Sequence, residues 1–252
     1  MKEIACPCCG YNRHFKLAGF AVAELSALWR RHFGFDAFAR WQGGDILEQW
    51  RCVNCSIVFH TPGIYGDDDF YARLSQYPWY YESEKWEFDV ALDLVRQFRP
   101  GTLLEVGCGA GMFLEKVSAG TDFAIGVDIN PDAVRRARAK GLTVTEQPIA
   151  ALNQSFDMIV LFEVLEHLSA PAEMLTSILD RLNPGGVLVL AVPNPAGYLK
   201  NQGLVLLDLP PHHATKWSRE TFSNLCARFG LQEVAYETEP LRYVHYLSLI
   251  HI

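Results

Sequence analysis

A glycine-rich turn between a short apolar segment and an amphipathic one is the feature of this chain with the clearest chemical meaning. Residues 102–111 read TLLEVGCGAG, so that Gly107, Gly109 and Gly111 directly follow an apolar run. Strand, glycine turn and helix in this order are typical of a nucleotide-binding corner in a doubly wound sheet. Glycines let the backbone approach a ligand closely, and the N-terminus of the next helix offers unpaired N–H groups.

An acidic residue lies at the distance from these glycines that nucleoside binding requires. Asp128 closes a second apolar segment, about 20 residues further on, where a carboxylate can accept both ribose hydroxyls. Met112 stands where a dinucleotide fingerprint has Gly or Ala, which disfavours an NAD-dependent oxidoreductase. Glu105, just before the turn, would repel a phosphate and attract an ammonium group. The sequence therefore predicts a nucleoside ligand without a pyrophosphate.

A second group of polar residues follows the predicted strand 157–162. Glu163, Glu166 and His167 share one face of a helical turn at the carboxyl edge of the sheet, where ligands bind. His167 is a candidate general base, or the three side chains together hold a divalent cation. In the alternative interpretation Glu166 and His167 only orient the turn, while Glu163 supports the cofactor pocket. Of the adjacent pair His212-His213, we expect His213 to face the acceptor.

Four of the seven cysteines form two C-x-x-C pairs. Four thiolates in this arrangement are typical of a tetrahedral structural zinc site, here made of Cys6, Cys9, Cys52 and Cys55. An iron site of the same geometry is the alternative, and a disulfide is disfavoured in a reducing compartment. Cys8 is left over, and Cys108 and Cys226 are predicted to be small buried residues.

The chain divides into three predicted parts. Residues 1–60 form a zinc-ribbon-like module with a helical insert at 22–33, and residues 61–86 an aromatic connector that covers either a core edge or, as a lid, the substrate pocket. Residues 87–252 alternate strands and helices after a first helix at 87–98, which predicts an α/β fold with a parallel sheet. The predicted strands are 102–107, 123–128, 142–146, 157–162, 186–193 and 231–238, and the predicted helices are 111–118, 131–140, 170–182 and 218–229.

Several of these segments, in order, resemble the motifs of class I S-adenosylmethionine-dependent methyltransferases. They are LEVGCGAG at 104–111, the acid at 128, the fourth strand with its sequel EVLEHL at 163–168, and NPGG with the strand at 187–192. The resemblance implies a Rossmann-like doubly wound sheet and S-adenosylmethionine as cofactor. It implies that residues 147–149 approach the adenine and that His167, Glu163 and His213 are catalytic. The implied cofactor-binding residues are Glu105, Gly107, Cys108, Gly109, Gly111, Asp128, Ile129, Phe162 and Glu163.

The composition narrows the choice of methyl acceptor. A net charge of −7 disfavours nucleic acid as a partner. No apolar run is long enough to cross a membrane and no signal peptide is recognised, so we expect a cytoplasmic enzyme. The layout resembles methyltransferases that act on sugars, polysaccharides or other small molecules, and this is the expected acceptor class. The alternatives are a protein or RNA acceptor read by the zinc module, or a scaffold without enzyme activity.

The C-terminal end departs from the family pattern. Class I methyltransferases usually finish with an antiparallel hairpin of two strands, whereas only residues 241–252 follow the predicted strand at 231–238. Either this last segment supplies one more strand, or the domain is incomplete at this end.

Overall fold

The computed structural model describes residues 4–77, 80, 84–117, 120–197 and 204–240. Within these residues the chain forms two β-sheets, one antiparallel and one parallel, with helices packed on both faces of the parallel sheet.

The antiparallel sheet is built mainly from the N-terminal part of the chain. Its strands are β1 (His14–Ala21), β2 (Ile46–Cys52) and β3 (Val58–Thr61), and helix α1 (Val22–Phe33) connects the first two. Helix α1 has the bounds expected from the sequence. It buries Leu25 and Trp29 and ends at Gly34, whose φ of 71° lies in the left-handed region that glycine adopts without strain.

Two helices connect this sheet to the parallel one. Asp67 begins α2 (Asp68–Leu74), since its carboxylate accepts a hydrogen bond from the backbone N–H of Phe70. Helix α3 (Trp86–Phe98) follows, and it buries Phe88, Ala91 and Val95.

The parallel sheet has the strand order β6-β5-β4-β7-β8. Its strands are β4 (Thr102–Val106), β5 (Phe123–Val127), β6 (Val144–Thr145), β7 (Phe156–Phe162) and β8 (Leu182–Ala191). The helices are α4 (Met112–Val117), α5 (Pro131–Ala139), α6 (Pro171–Leu179) and α7 (Arg219–Phe229). The predicted α/β fold with a doubly wound parallel sheet is thus confirmed.

The central strands β4 and β7 are buried on both faces, as their continuous apolar sequence predicts. Leu104 and Ile159 face α6 and α7 and pack in one core with the cysteine-bearing module. Leu103 and Met158 point the other way, into a core with α3, α4 and α5. The alternation of side chains along each strand therefore sends neighbouring residues into two separate cores.

A short strand from late in the chain completes the antiparallel sheet. Strand β9 (Thr215–Lys216) pairs with Val58 and Phe59 of β3. The loop that carries His212 and His213 leads directly into β9. The N-terminal sheet thus anchors a loop of the second half of the chain.

The prediction of a strand at 231–238 is wrong. Residues 231–240 have no regular structure and pair with no strand among the described residues. The apolar pattern there was read as a strand, but a strand also needs a hydrogen-bonding partner. Strand β8 is the edge of the sheet in the described part of the chain, and a groove between α3 and α7 runs along it. The expected last strand, residues 241–252, lies outside the described residues.

None of the helices in the described part of the chain combines the length and apolarity that crossing a membrane would take.

Candidate functional site

The glycine turn is held in its shape by close neighbours. Gly107 and Gly111 have φ values of 74° and 77°. A Cβ atom on Gly107 would lie 2.5 Å from the side chain of Val164, and one on Gly111 would lie 2.3 Å from Leu142. A side chain at either position would therefore be strained and would collide with its neighbour. The contact with Val164 also places this turn directly beside the turn that carries Glu163, Glu166 and His167.

Glu105 lies beneath the glycine turn with one oxygen atom unused. Its side chain is 3% exposed, and its Oε2 has no hydrogen-bond partner in the described part of the chain. Burial, aided by the negative charge of Asp128, raises the pKa of Glu105 well above its usual value. A buried carboxylate of this kind is stabilised by a positively charged ligand. Glu105 therefore fits a donor that carries a cationic group.

Asp128 holds the glycine turn and the start of α5 together. One carboxylate oxygen accepts a hydrogen bond from the N–H of Gly109 at 2.7 Å, and the other accepts one from Asn130 at 2.8 Å. A carboxylate has about four acceptor positions, so both oxygens retain capacity for ribose hydroxyls. The next residue, Ile129, is 87% exposed. This large apolar side chain next to the acid offers a surface for a planar base.

Two residues expected at the cofactor have their side chains in the core. The Cys108 thiol fits against Gly126, where a Cβ atom would approach it to 2.5 Å, and only the Cys108 backbone belongs to the turn. The ring of Phe162 packs edge-on against Phe88 and Phe113, with centroid distances of 5.0 and 4.9 Å. Ile149, expected near the adenine, is buried at the start of a short 3-10 helix, Ile149–Ala151.

Glu163 follows β7 in a backbone conformation that is rare for a residue with a side chain. Its φ is 55°, and its N–H donates to the carbonyl of Ala191 in β8. Burial raises the pKa of Glu163 to about 7, and the nearby Lys85 opposes this shift. The strained backbone directs this carboxyl group at the carboxyl edge of the sheet, where strain of this kind is typical of functional positions.

Three histidines cluster next to Glu163. His167 ends a 3-10 turn, Leu165–His167, while His212 and His213 lie in the loop before β9. The rings of His212 and His213 stack at 4.4 Å, and the ring of His167 lies 4.7 and 5.0 Å from them. Burial lowers the pKa of His167 to about 4 and that of His212 to about 2. Both rings are therefore neutral at pH 7.

Glu166 is buried among these groups with a side chain only 1% exposed. Burial and the charge of Glu163 raise its pKa well above the usual value. The backbone carbonyl of Glu166 accepts a hydrogen bond from Ala214 at 2.7 Å, which holds the histidine loop against the 3-10 turn. The sequence alone leaves two interpretations of Glu166 open: a ligand of a divalent cation, or a residue that orients the turn.

Tyr71 of α2 covers the cluster from the connector. Its hydroxyl lies 3.3 Å from Nδ1 of His167, and the two rings meet edge-on at 5.8 Å. The connector thus contacts the acceptor side of the site, in addition to the contacts of Phe70 with Trp29 and Phe35 in the core of the N-terminal part.

The four expected cysteine ligands meet at one place. The Sγ atoms of Cys6 and Cys55 are 3.6 Å apart, those of Cys9 and Cys52 are 3.5 Å apart, and all four lie within 4.8 Å of one another. A zinc ion with Zn–S bonds of about 2.3 Å holds tetrahedral thiolates about 3.8 Å apart. Burial raises the pKa of the Cys52 thiol to about 11, a cost that a bound cation removes. The residues present therefore fit zinc.

Four residues of the site were not singled out from the sequence. Tyr71 and Lys85 come from the connector and the start of α3, and Asp208 comes from the loop after β8. His212 was passed over in favour of its neighbour His213. These four residues reach the site through contacts between segments that are far apart in the sequence. Of the four, only His212 could have been found from the sequence, because it stands next to another histidine.

The comparisons with known proteins agree with this geometry. A family model described as a methyltransferase domain matches residues 79–236, more than half of the chain. A ubiquinone biosynthesis O-methyltransferase of Cereibacter sphaeroides is 32% identical over 117 residues, which cover 43% of this chain and 47% of that protein. A protein of the same name from Roseobacter denitrificans is 29% identical over 142 residues, 52% and 55% of the two chains. This chain thus spans about half the length of the curated relatives it matches.

Solved structures show the same fold. The YcgJ protein from Bacillus subtilis superposes with a TM-score of 0.51 at 18% identity, over 65% of this chain and 76% of that one. The plantazolicin methyltransferase BpumL, solved with S-adenosylhomocysteine, gives a TM-score of 0.50 at 18% identity, over 65% and 70% of the chains. The family-model match over more than half of the chain, together with the glycine turn, the acid after β5 and the parallel sheet, shows that the chain belongs to the class I S-adenosylmethionine-dependent methyltransferases.

Proposed function

We propose that this protein transfers the methyl group of S-adenosylmethionine to a small molecule, a sugar or a glycan. The observation that carries the proposal is the buried, unpartnered Oε2 of Glu105 beneath a glycine turn that Asp128 holds in place. S-adenosylmethionine carries an ammonium group, a sulfonium and a ribose. The ammonium group suits Glu105, and the ribose suits Asp128. The adenine is proposed to lie against Ile129.

The acceptor atom is proposed to lie between the donor turn and the histidine cluster. Contact between Gly107 and Val164 makes the two turns neighbours, so a sulfonium methyl group above the glycines faces the Glu163 side of the site. Methyl transfer is an in-line displacement, in which positioning supplies much of the acceleration. A hydroxyl or amine acceptor must also lose a proton. His167 and His213 are the proposed proton acceptors, with Glu163 beside them. The ring of His167 is neutral, and the ring of His213 is paired with the carboxylate of Asp208.

The enclosure of the site supports this acceptor class. His212 and His213 are each 8% exposed, and Tyr71 covers His167. A small molecule or a single sugar unit reaches such a place more readily than a folded macromolecule does. The O-methyltransferase names of the curated relatives support an acceptor of this size.

Zinc in the four-cysteine site is proposed to be structural. Cys6, Cys52 and Cys55 share a core with Leu104 and Leu161 of the parallel sheet, and β3 of this module pairs with β9. A module packed in this way supports the acceptor loop rather than forming a separate substrate reader.

The experiment that tests the function combines donor binding with a transfer assay. We expect S-adenosylhomocysteine to bind in calorimetry. Methyl-labelled S-adenosylmethionine, incubated with fractionated cell extract, should label small molecules or glycans. Label found only in protein or RNA would contradict the acceptor class. A folded sample that neither binds nor transfers would refute the function.

A substitution then tests the proton acceptor. In His167→Ala the turnover number should fall by about 10²–10⁴-fold while donor affinity stays unchanged. His32→Ala, which changes an exposed histidine of α1, is the control. An unchanged turnover number in His167→Ala would remove this residue from the chemistry.

A further inference from the structure

Three imidazole rings from two distant segments converge on one point of the acceptor side. One ring nitrogen of each of His167, His212 and His213 lies within 4.8 Å of one from each of the others. Two of the rings come from the loop anchored by β9, and the third comes from the turn after β7. Buried histidines usually each find a separate partner, and convergence of three requires a separate explanation.

The hydrogen bonds decide which nitrogen of each ring is free. Nδ1 of His167 lies 2.7 Å from the carbonyl oxygen of His212, and Nδ1 of His212 lies 2.9 Å from that of Leu207. Nδ1 of His213 lies 3.2 Å from a carboxylate oxygen of Asp208. These oxygens only accept, so each Nδ1 carries the hydrogen and donates it. In its neutral form, a ring with the hydrogen on Nδ1 keeps a lone pair on Nε2.

This arrangement is the one found around metal-binding histidines. A ligating imidazole usually donates its other N–H to a carbonyl or a carboxylate, which fixes the tautomer and the ring orientation. Asp208 plays this part for His213, and its other carboxylate oxygen lies 3.5 Å from Nζ of Lys216.

Glu166 lies beside two of the three rings. Its Oε1 is 3.8 Å from Nε2 of His167 and 4.0 Å from Nε2 of His213. The Glu166 side chain is only 1% exposed. A carboxyl group at this distance can offset the charge of a cation held by the rings without binding it.

We propose that His167, His212 and His213 bind a divalent transition-metal ion such as Zn²⁺. Imidazole is a ligand that zinc and its neighbours favour, whereas Mg²⁺ and Ca²⁺ prefer oxygen ligands alone. Metal–ligand bonds of about 2.1 Å hold tetrahedral ligands about 3.4 Å apart. The three ring nitrogens, which lie within 4.8 Å of one another, therefore need to approach by no more than about 1.4 Å. This ion is distinct from the one proposed for the four cysteines.

A proton shared between Glu166 and a histidine does not explain the arrangement of the rings equally well. A protonated Glu166 that donated to an Nε2 would lie within about 3.2 Å of it, but both distances are longer. Such a proton would also satisfy only one of the three ring lone pairs. A cation between the three rings satisfies all of them at once.

The ion gives the site a different way to activate an acceptor. An Nε2 atom that binds a metal cannot also take a proton. With the ion bound, the metal would polarise a hydroxyl acceptor, and the hydroxyl proton would go to Glu163 beside the cluster instead of to a ring. This use of the ion rests on the proposed methyl transfer. Binding of the ion does not, and it is measured separately.

The test counts metal ions on the full-length protein. The wild type, dialysed against buffer containing Zn²⁺, should hold two ions per chain, and His212→Gln/His213→Gln should hold one. His60→Gln is the matched control, because His60 is also buried next to the loop, yet its two nitrogens are engaged with Gln49 and the carbonyl of Ala214. This control should retain both ions. A wild type that holds one ion, lost on Cys52→Ser, would overturn the proposal.

A second measurement on the wild type keeps the test decisive if the double variant does not fold. The metal-free protein is titrated with Co²⁺, whose thiolate complexes show intense charge-transfer absorption. A second equivalent that adds only the weaker ligand-field bands of a nitrogen–oxygen site supports the proposal. Saturation after one thiolate-bound equivalent refutes it. Calorimetric binding of S-adenosylhomocysteine, which does not involve the histidines, shows separately whether the proposed function stands.

Discussion

Replacing Glu105 with glutamine should affect stability and donor binding in opposite directions. The carboxyl group is 3% exposed and has an unpartnered oxygen, and burial raises its pKa well above the usual value. The unfolded chain ionises this group at its ordinary pKa, whereas the folded protein resists ionisation. The group therefore costs stability at pH 7, and this cost disappears as the pH falls below the ordinary pKa.

The magnitude follows from the cost of ionising a buried group. Each unit by which folding raises the pKa of the carboxyl group costs about 1.4 kcal/mol at pH 7, and Glu105→Gln removes this cost because an amide does not ionise. For a chain of this size each kcal/mol corresponds to a change in Tm of about 2–4 °C. We therefore expect the Tm of the ligand-free variant at pH 7 to rise by at least about 2 °C.

Donor affinity should fall in the same variant. A hydrogen bond between a carboxylate and a cationic group contributes about 1.5–3 kcal/mol. Its loss weakens binding by about 10- to 150-fold. Since the cation favours the ionised form of Glu105, the affinity of the wild type should also rise with pH while that of the variant should not.

Calorimetry with S-adenosylhomocysteine and thermal unfolding measure both effects on the same samples. Glu115→Gln is the control, because it makes the same charge change at an exposed position of α4. Unchanged affinity in Glu105→Gln, or a lower Tm without ligand, would refute the role of Glu105 as a buried carboxyl group that a cationic ligand ionises.

Three further predictions address the turn, the cysteine module and the N-terminal sheet. Asp128→Ala should weaken S-adenosylhomocysteine binding by about 5- to 150-fold, through loss of about 1–3 kcal/mol of hydrogen bonding. The control Asp132→Ala, on the exposed face of α5, should leave the affinity unchanged. Equal affinities of the two variants in calorimetry would argue against ribose contacts. Cys52→Ser should lose the cysteine-bound zinc in metal analysis and have a lower Tm than the wild type. The control Cys226→Ser should show neither effect. Zinc retained in Cys52→Ser would contradict the four-cysteine site. Burial lowers the pKa of His60 from 6.5 to about 4. The neutral His60 ring therefore contributes up to about 3 kcal/mol to the free energy of unfolding above pH 6.5. This contribution is lost as the pH falls to about 4. Denaturant unfolding of His60→Gln should show a shallower decline over this range, and parallel pH profiles would disprove the assignment.

The donor side of the site could be predicted from the sequence because its parts are local. Residues 102–111 contain a strand, a turn and the start of a helix in one continuous segment, and Asp128 ends the neighbouring strand. The parallel sheet could be predicted for the same reason, from the alternation of strands and helices along the chain. The sequence did not show that Asp128 already accepts hydrogen bonds from Gly109 and Asn130, or that the Cys108 thiol points into the core.

The acceptor side could be predicted only in part because its groups come from distant segments. His167 and His213 were singled out, but their meeting with His212, Tyr71 and Asp208 depends on how the loop after β8 returns to the sheet. The strand predicted at 231–238 shows the same limit, since apolar patterning cannot supply a hydrogen-bonding partner.

The sequence by itself determined the order of helices and strands, the glycine turn with its acid, and the two cysteine pairs. Each depends on residues close together along the chain, or on a spacing with one chemical meaning. Only the tertiary structure decided that β9 joins the N-terminal sheet and thereby brings His212 and His213 to His167 and Glu166. The physical reason is that such a cluster forms through hydrogen bonds and packing between segments far apart in sequence, whose separation carries no pattern.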